Sequence, residues 1–179
     1  MLQVIIPGTE LFDEATNTFI TTKERKLNLE HSLVSISKWE AKWKKPFISK
    51  NTKSLEETID YIRCMTVDRN VDPNVYKTIP VDVFKQIEEY IDDPMTATWI
   101  NRKNNRSNNR IITSELIYCW MVSYRIPIEC QKWHLNRLLM LIQVCDEENK
   151  EPRKMSKSEI LRRNASLNAA RRAKLKTKG

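Results

Sequence analysis

Cys130 and His134 are residues of the types that bind metal ions or carry out nucleophilic catalysis, and they lie four positions apart. On a continuous helix this spacing places both side chains on one face, where they could bind zinc or act as nucleophile and base. Cys119 and Cys145 could complete a zinc site, but Cys145 lies 11 residues beyond His134, about 16 Å along a continuous helix. One zinc ion cannot contact both, and no third group is placed to orient the histidine as a base. We therefore interpret the cysteines as small buried side chains and the histidine as a core residue, and we expect no catalytic residue, no metal and no cofactor.

Residues 154–158 read KMSKS, the loop motif of class I aminoacyl-tRNA synthetases, in which the lysines stabilise the phosphates of the adenylate. That chemistry also needs a nucleotide-binding domain and a second motif, HIGH, whose glycine allows close approach to the nucleotide. The chain has only two glycines, Gly8 and Gly179, and neither lies near a histidine. We therefore interpret the segment as the start of a helix with a capping box. The scarcity of glycine also excludes a glycine-rich phosphate loop.

The C-terminal arm, residues 153–179, carries all of the net positive charge. It holds ten Lys or Arg residues and one acid, Glu159, whereas the other 152 residues hold 21 basic and 22 acidic residues. The arm is rich in helix formers but poor in apolar residues, so it has little to bury and a partner could order it. Our candidates for partner contact in the arm are its arginines, Arg162, Arg163, Arg171 and Arg172.

Three roles are open for the arm: a solvated tail without a function, a segment that neutralises nucleic-acid phosphates, or a helix that docks on an acidic or helical protein. We do not expect nucleic acid, because the arm has no aromatic residue to stack on bases and the chain shows no recognition motif. We favour a protein partner, because the arm can cap its own helix but lacks a core of its own.

Tryptophan is frequent for a chain of this length, with five residues in 179. Trp39 and Trp43 lie four positions apart, a spacing that most often serves packing on one helix face. Part of this face could also serve a partner, so we include both residues in the candidate partner-binding set.

The elements that must position these residues follow from hydrophobic periodicity. The first 30 residues alternate weakly between apolar and polar side chains, with Pro7-Gly8 as a turn, and they predict two or three short strands. From residue 31 the period becomes helical, with Ile36, Trp39 and Trp43 on one face, and this predicts a helix that ends near Lys45.

Capping and breaking residues delimit the next helices. Ser54 and Glu57 form a capping box that predicts the start of a second helix. A third helix is predicted to begin at Pro80 and to end before Pro94. Residues 101–110 contain no apolar side chain and are predicted to be a solvated connector.

Residues 111–145 form the most apolar region, and Pro127 divides it into two predicted helices. The second of these, residues 132–144, has only a narrow polar stripe, so we predict that it is the central helix of the core. A charged linker follows, and Ser156 with Glu159 forms another capping box that predicts the last helix.

These elements predict a mainly α protein: a helical bundle with a small N-terminal β-hairpin or sheet and a basic C-terminal helical arm. We divide it into a β element (residues 1–30), a helical body (31–150) and the arm (151–179). No segment resembles a signal peptide or is long enough to cross a membrane, and the cysteines lie in apolar helical stretches. We therefore expect a reduced, cytoplasmic protein that does not bind a membrane.

Four stretches together resemble a known family: LEHSLVSISKWE (residues 29–40), DPMTATW (93–99), IPIECQKWHLNRLL (126–139) and the ending from residue 155 onward. They are similar to the tail assembly chaperones of tailed bacteriophages with long non-contractile tails. The similarity covers most of the chain from Leu29 onward. These four sequence stretches are specific for the family and contain no catalytic motif.

The resemblance implies a non-enzymatic protein that coats the tape measure protein and keeps it soluble until the tail tube subunits polymerise. It implies the tape measure protein, and the tail tube protein as a further candidate, as partners, and leaves a homo-oligomer open. It also implies a location in the host cytoplasm during assembly and absence from the mature virion. Many members are also made in a longer, frameshifted form.

Two other functions are alternatives to this one. In the first alternative, the chain is a virion structural protein, such as a connector or minor tail component, in which the arm anchors the subunit to its neighbours. In the second alternative, the chain is a nucleic-acid-binding phage protein that acts through the arm, and its affinity for nucleic acid falls steeply with salt concentration.

Overall fold

A computed structural model describes residues 1–13, 17–49, 52–100, 111–150 and 156–176. In this part of the chain the protein is mainly α, as predicted, with six α-helices, two short 3-10 helices and four short strands. The predicted connector lies outside the described residues.

The chain forms two compact units, Met1–Asp146 and Glu147–Gly179. The first unit contains the four strands and the hydrophobic core. The second unit contains the C-terminal helix of the basic arm.

Four strands follow one another in the first unit: β1 (Leu2–Ile6), β2 (Thr9–Asp13), β3 (Thr18–Thr22) and β4 (Arg25–Leu29). β1 pairs antiparallel with β4, and β2 pairs antiparallel with β3, so the described strands form two successive two-stranded sheets. The structure has four strands rather than the two or three predicted, because the segment after the predicted Pro7-Gly8 turn, Thr9–Asp13, also forms a strand and pairs with Thr18–Thr22. An added Cβ at Gly8 would lie 2.9 Å from the carbonyl oxygen of Thr22 and 3.0 Å from the backbone nitrogen of Glu24. The close approach of the two chain segments therefore requires glycine at this position.

The sheet of β1 and β4 supplies one side of the core. Val4 and Ile6 on β1 and Leu27 and Leu29 on β4 are buried and alternate with more exposed side chains, as expected of a half-buried antiparallel pair. Beyond β4, the backbone N–H of Val67 donates to the carbonyl of Asn28 at 2.9 Å and extends the pairing.

The helices are α1 (Leu33–Trp43), α2 (Leu55–Met65), α3 (Val81–Asp92), α4 (Ser114–Ser123), α5 (Leu135–Glu148) and α6 (Lys157–Leu175). Local capping explains three of the helix starts. The hydroxyl of Ser32 caps α1, and the predicted capping boxes of Ser54 with Glu57 and of Ser156 with Glu159 begin α2 and α6. In each case a side-chain oxygen accepts a backbone N–H that the helix itself leaves without a partner.

The predicted helix over residues 132–144 begins later than expected. Ile128–Lys132 forms a 3-10 helix, which the N–H of Trp133 closes by donating to the carbonyl of Cys130. α5 starts only at Leu135. The periodicity of the apolar residues does not reveal this break, because the break is set by contacts with a distant part of the chain.

The central helix is α1, not α5 as predicted. Leu33, Ile36 and Trp39 of α1 are fully buried, and α1 packs against α2, α4 and the second 3-10 helix. α5 buries only three residues, Leu135, Leu138 and Ile142, and its other apolar side chains are half-buried. The apolar composition of α5 therefore exceeds what the first unit buries.

Candidate functional site

The two histidines of the chain meet in the core. The ring centroids of His31 and His134 lie 5.0 Å apart, with the ring planes at 60°. The backbone holds them together, because Ser32 forms a β-bridge with His134 and the N–H of Leu135 donates to the carbonyl of His31 at 2.7 Å. The two residues are 2% and 6% exposed.

Hydrogen bonds fix the tautomer of His134. Its Nε2 lies 2.9 Å from the carbonyl oxygen of Tyr90, which can only accept, so this nitrogen carries the hydrogen. Its Nδ1 accepts the backbone N–H of Asn136 at 3.3 Å. The Nδ1 of His31 lies 2.5 Å from the hydroxyl oxygen of Tyr61. Both imidazoles therefore make hydrogen bonds to groups of the protein itself.

Burial determines the charge state of this cluster. Burial, reinforced by the neighbouring imidazole, lowers the pKa of His31 to about 3, and burial also lowers the pKa of His134. Burial raises the pKa of the hydroxyls of Tyr61 and Tyr90. All four groups are therefore uncharged at neutral pH. The two imidazoles are buried, uncharged groups whose hydrogen bonds reach Tyr61 of α2 and Tyr90 of α3.

The spacing of Cys130 and His134 does not place them on one helical face. Cys130 lies in the 3-10 helix, whereas His134 lies in a β-bridge before α5. Among the described residues, no group of three or more His, Cys, Asp or Glu side chains could hold a metal ion. Cys130 is buried, as expected, but Cys64 and Cys145 are only half-buried and Cys119 is exposed, so the interpretation of the cysteines as buried side chains is wrong for Cys119.

Sequence reasoning missed a buried carboxylate. Glu40 lies on the core face of α1, and its two oxygens accept the backbone N–H groups of Phe47 and Ser114, each at 2.7 Å. It therefore anchors the chain after α1 and the first residue of α4. The signal was present in the sequence, because Glu40 follows Ile36 by four positions and so shares its face of α1.

The two tryptophans of α1 have different environments. Trp39 is 1% exposed, its indole N–H donates to the carbonyl of Glu57 at 2.9 Å, and its ring packs edge-on against Phe47. Its placement among partner-binding residues is therefore corrected, because a fully buried ring cannot contact a partner. Trp43 is partly exposed and donates its indole N–H to Asp60 at 2.9 Å. It remains a candidate for partner contact.

Lysines surround the exposed edge of Trp43. The ammonium groups of Lys42 and Lys45 lie 5.5 and 5.9 Å from its ring centroid, within the range of cation–π contacts. Each lysine also pairs with a carboxylate of α2, Lys42 with Asp60 and Lys45 with Glu57. The hydrogen bond from Lys45 and the backbone N–H of Ser54 lower the pKa of Glu57. The surface around Trp43 thus carries charges of both signs, with two lysines paired to two carboxylates.

The first unit also exposes large apolar side chains. Trp99 is 88% exposed, and Phe19 of β3 is 72% exposed. Phe19 lies opposite Phe12 of β2, which is also exposed, with the ring centroids 5.1 Å apart. Sequence reasoning did not single out these three residues, because their exposure is a property of the fold.

The four arginines predicted for partner contact all lie on α6, which buries none of its described residues. They do not share a face. At about 100° per residue, Arg162, Arg163, Arg171 and Arg172 point in four directions separated by about 80° to 100° around the helix axis. A single flat partner surface therefore cannot contact all four.

Comparison with known proteins found no match among family models, curated proteins or solved structures. Among the described helices, none combines the length and apolarity needed to cross a membrane.

Proposed function

We propose that this protein is a non-enzymatic tail assembly chaperone of a bacteriophage, which binds the tape measure protein and keeps it soluble until the tail tube polymerises. The observation that carries the proposal is the exposure of Phe12 and Phe19, whose rings lie against each other on the β2–β3 hairpin, together with the exposure of Trp99. Adjacent exposed aromatic side chains such as Phe12 and Phe19 are typical of protein–protein contact sites. The sequence resemblance supplies the partner, and the exposed side chains supply a surface suited to it.

The mechanism is mass action. A chaperone that binds apolar helical segments lowers the concentration of free, aggregation-prone partner, and tube subunits then displace it. The exposed aromatics and Trp43 contact the apolar segments of the partner. The function requires no catalytic centre and no cofactor, and it places the protein in the host cytoplasm during assembly, with the tail tube protein as a second candidate partner.

Co-expression tests the proposal. The tape measure protein is expressed alone, with the native chain, and with a Phe12→Ser/Phe19→Ser/Trp99→Ser variant, and its soluble fraction is measured. We expect the native chain to raise the soluble fraction several-fold and the variant to lose most of this effect. A Thr21→Ser variant, on the same exposed hairpin, is the matched control. An unchanged soluble fraction with the native chain would remove the basis of the proposal.

Purified phage particles give an independent test. A chaperone is absent or present in trace amounts in quantitative mass spectrometry of the virion. A connector or minor tail component is present in a fixed ratio to the tail tube protein. A fixed ratio would therefore favour the structural alternative.

A further inference from the structure

Charge is distributed around the whole circumference of α6. Residues 156–176 hold seven Lys or Arg residues and one acid, Glu159. That acid is engaged at the start of the helix, where its carboxylate accepts the backbone N–H of Ser156 at 2.9 Å. The remaining length of the helix therefore presents cations on every side and no carboxylate.

The apolar residues of α6 do not form a stripe. Ile160, Leu161, Leu167 and Leu175 are all exposed. At about 100° per residue they fall within about 120° of the circumference, but Arg171, Asn164 and Asn168 fall between them. A helix that docks in an apolar groove or lies on a membrane needs a continuous apolar face. α6 has none, so its partner must be recognised by charge.

A partner that engages arginines on more than one side of a helix must present anions on more than one side of it. The major groove of B-form DNA does this, because it is about 12 Å wide, admits an α-helix and is lined by phosphates on both walls. The arginines occur as two adjacent pairs, Arg162 with Arg163 and Arg171 with Arg172, nine residues apart. This is about 13.5 Å along the helix axis, or about four base pairs.

The side chains between the arginine pairs suit the same groove. Ala165, Ser166, Ala169 and Ala170 keep the helix narrow. The lack of aromatic residues argues against a single-strand reader but not against a duplex, whose bases are already stacked.

We propose that α6 is a duplex-DNA-binding helix that enters the major groove of B-form DNA, with at least three of Arg162, Arg163, Arg171 and Arg172 facing the walls or floor of the groove. This activity goes beyond the proposed chaperone function, which rests on exposed aromatics of the first unit. It replaces the expectation that the arm docks on a protein.

Fluorescence anisotropy with the full chain and a labelled 20-base-pair DNA duplex tests the proposal. We expect the logarithm of the association constant to fall linearly with the logarithm of the salt concentration, with a slope of about −5. The Arg162→Ala/Arg163→Ala/Arg171→Ala/Arg172→Ala variant keeps helix propensity, because alanine is the best helix former. We expect it to bind at least tenfold more weakly at 100 mM salt, with a slope smaller in magnitude by about 3 to 4. The matched control removes four exposed lysines of the first unit, Lys23, Lys38, Lys44 and Lys85, and we expect it to change affinity by less than about threefold.

Single variants test the geometry itself. Because the groove has two walls, at least three of the four Arg→Ala variants should weaken binding, each lowering the slope by about one. A flat anionic surface can engage no more than two of them, so two or more silent variants would exclude the groove.

Other polyanions complete the test. A 20-base-pair RNA duplex, whose narrow major groove does not admit a helix, should bind at least tenfold more weakly than DNA. Equal or tighter binding to the RNA duplex, to polyglutamate or to vesicles rich in anionic lipid would overturn the proposal. So would a four-arginine variant that binds DNA normally but no longer keeps the tape measure protein soluble. Loss of DNA binding with normal tape measure solubility would separate the two functions as proposed.

Discussion

The carboxylate of Glu40 accepts the backbone N–H of Ser114 at 2.7 Å and so joins the last turn of α1 to the first residue of α4. Its other oxygen accepts the N–H of Phe47 at the same distance. Replacing a buried carboxylate that accepts two backbone N–H groups leaves both N–H groups without an acceptor. This residue is therefore a structural anchor of the first unit.

Replacement of this anchor should destabilise the fold strongly. We expect Glu40→Ala to lower the free energy of unfolding by about 3 kcal/mol, because two buried N–H groups lose their acceptor. Glu40→Gln, which keeps one acceptor oxygen, should cost less. Urea denaturation measures both. Glu88→Ala, an exposed glutamate of α3, is the control and should change stability by less than about 0.5 kcal/mol.

The histidine pair predicts that stability falls in mild acid. The pKa of His31 and the pKa of His134 are both lowered in the folded state, so the unfolded chain binds more protons below its own pKa near 6.5. Stability is therefore complete above pH 6.5 and decreases as the pH falls from there toward the folded-state pKa of His31, about 3. Between pH 7.5 and 5.5 we expect a loss of about 1 to 3 kcal/mol.

Urea denaturation at several pH values checks this dependence. His134→Gln can place its amide nitrogen near the carbonyl of Tyr90 but does not titrate, so it should reduce the slope of stability against pH by about half. A native chain whose stability does not change between pH 7.5 and 5.5 would contradict the assignment of two neutral buried imidazoles.

Gly8 should not tolerate a side chain. A Cβ at this position would lie 2.9 Å from the Thr22 carbonyl oxygen and 3.0 Å from the Glu24 nitrogen, both backbone atoms that cannot rotate away. We expect Gly8→Ala to lower the free energy of unfolding by about 1 to 3 kcal/mol. Lys23→Ala, an exposed position near the same turn, should have little effect. Thermal denaturation of the two variants, followed by circular dichroism, makes the comparison, and equal melting temperatures would show that the turn can adjust.

The cysteines should differ in reactivity in the native protein. Cys119 is exposed and Cys130 is buried, whereas burial raises the pKa of the half-buried Cys64 and lowers its thiolate fraction. We expect iodoacetamide to modify Cys119 first, and Cys130 only after unfolding. Timed alkylation followed by peptide mass spectrometry measures the order. Cys130 modified as fast as Cys119 in the native chain would be the contrary result.

Removal of the arm should leave the first unit folded. The described residues of α6 bury no side chain, and the arm is poor in apolar residues, so a chain truncated after Glu151 loses few apolar groups. We expect its free energy of unfolding to change by less than about 0.5 kcal/mol. Urea denaturation followed by tryptophan fluorescence reports on the first unit alone, since the arm has no tryptophan. An unfolded truncated chain would mean that the arm belongs to the core.

Helix starts could be predicted where the determinant is local. The capping boxes of Ser54 with Glu57 and of Ser156 with Glu159 need only residues within three positions, and both helices begin as predicted. The start of α5 could not be predicted, because the N–H of Leu135 bonds to the carbonyl of His31, which is distant in sequence. The histidine pair was invisible for the same reason.

The candidate site shows the same limit. Periodicity placed Trp39 and Trp43 on one helical face, but only the packed structure shows that Trp39 is buried against Phe47 while Trp43 keeps an exposed edge. For α6 the sequence is enough to predict how the arginines are distributed around the helix. The angular separation of its arginines follows from their spacing once the helix is known to be continuous.

Glu57 uses three separate groups at the junction of α1 and α2. One carboxylate oxygen accepts the N–H of Ser54, the other binds the ammonium of Lys45, and the backbone carbonyl accepts the indole N–H of Trp39. Fraying of the first turn of α2 would therefore also release the central tryptophan and the end of α1. The end of one helix and the start of the next are therefore coupled, and replacing the Glu57 side chain would remove the contacts with both Ser54 and Lys45 at once.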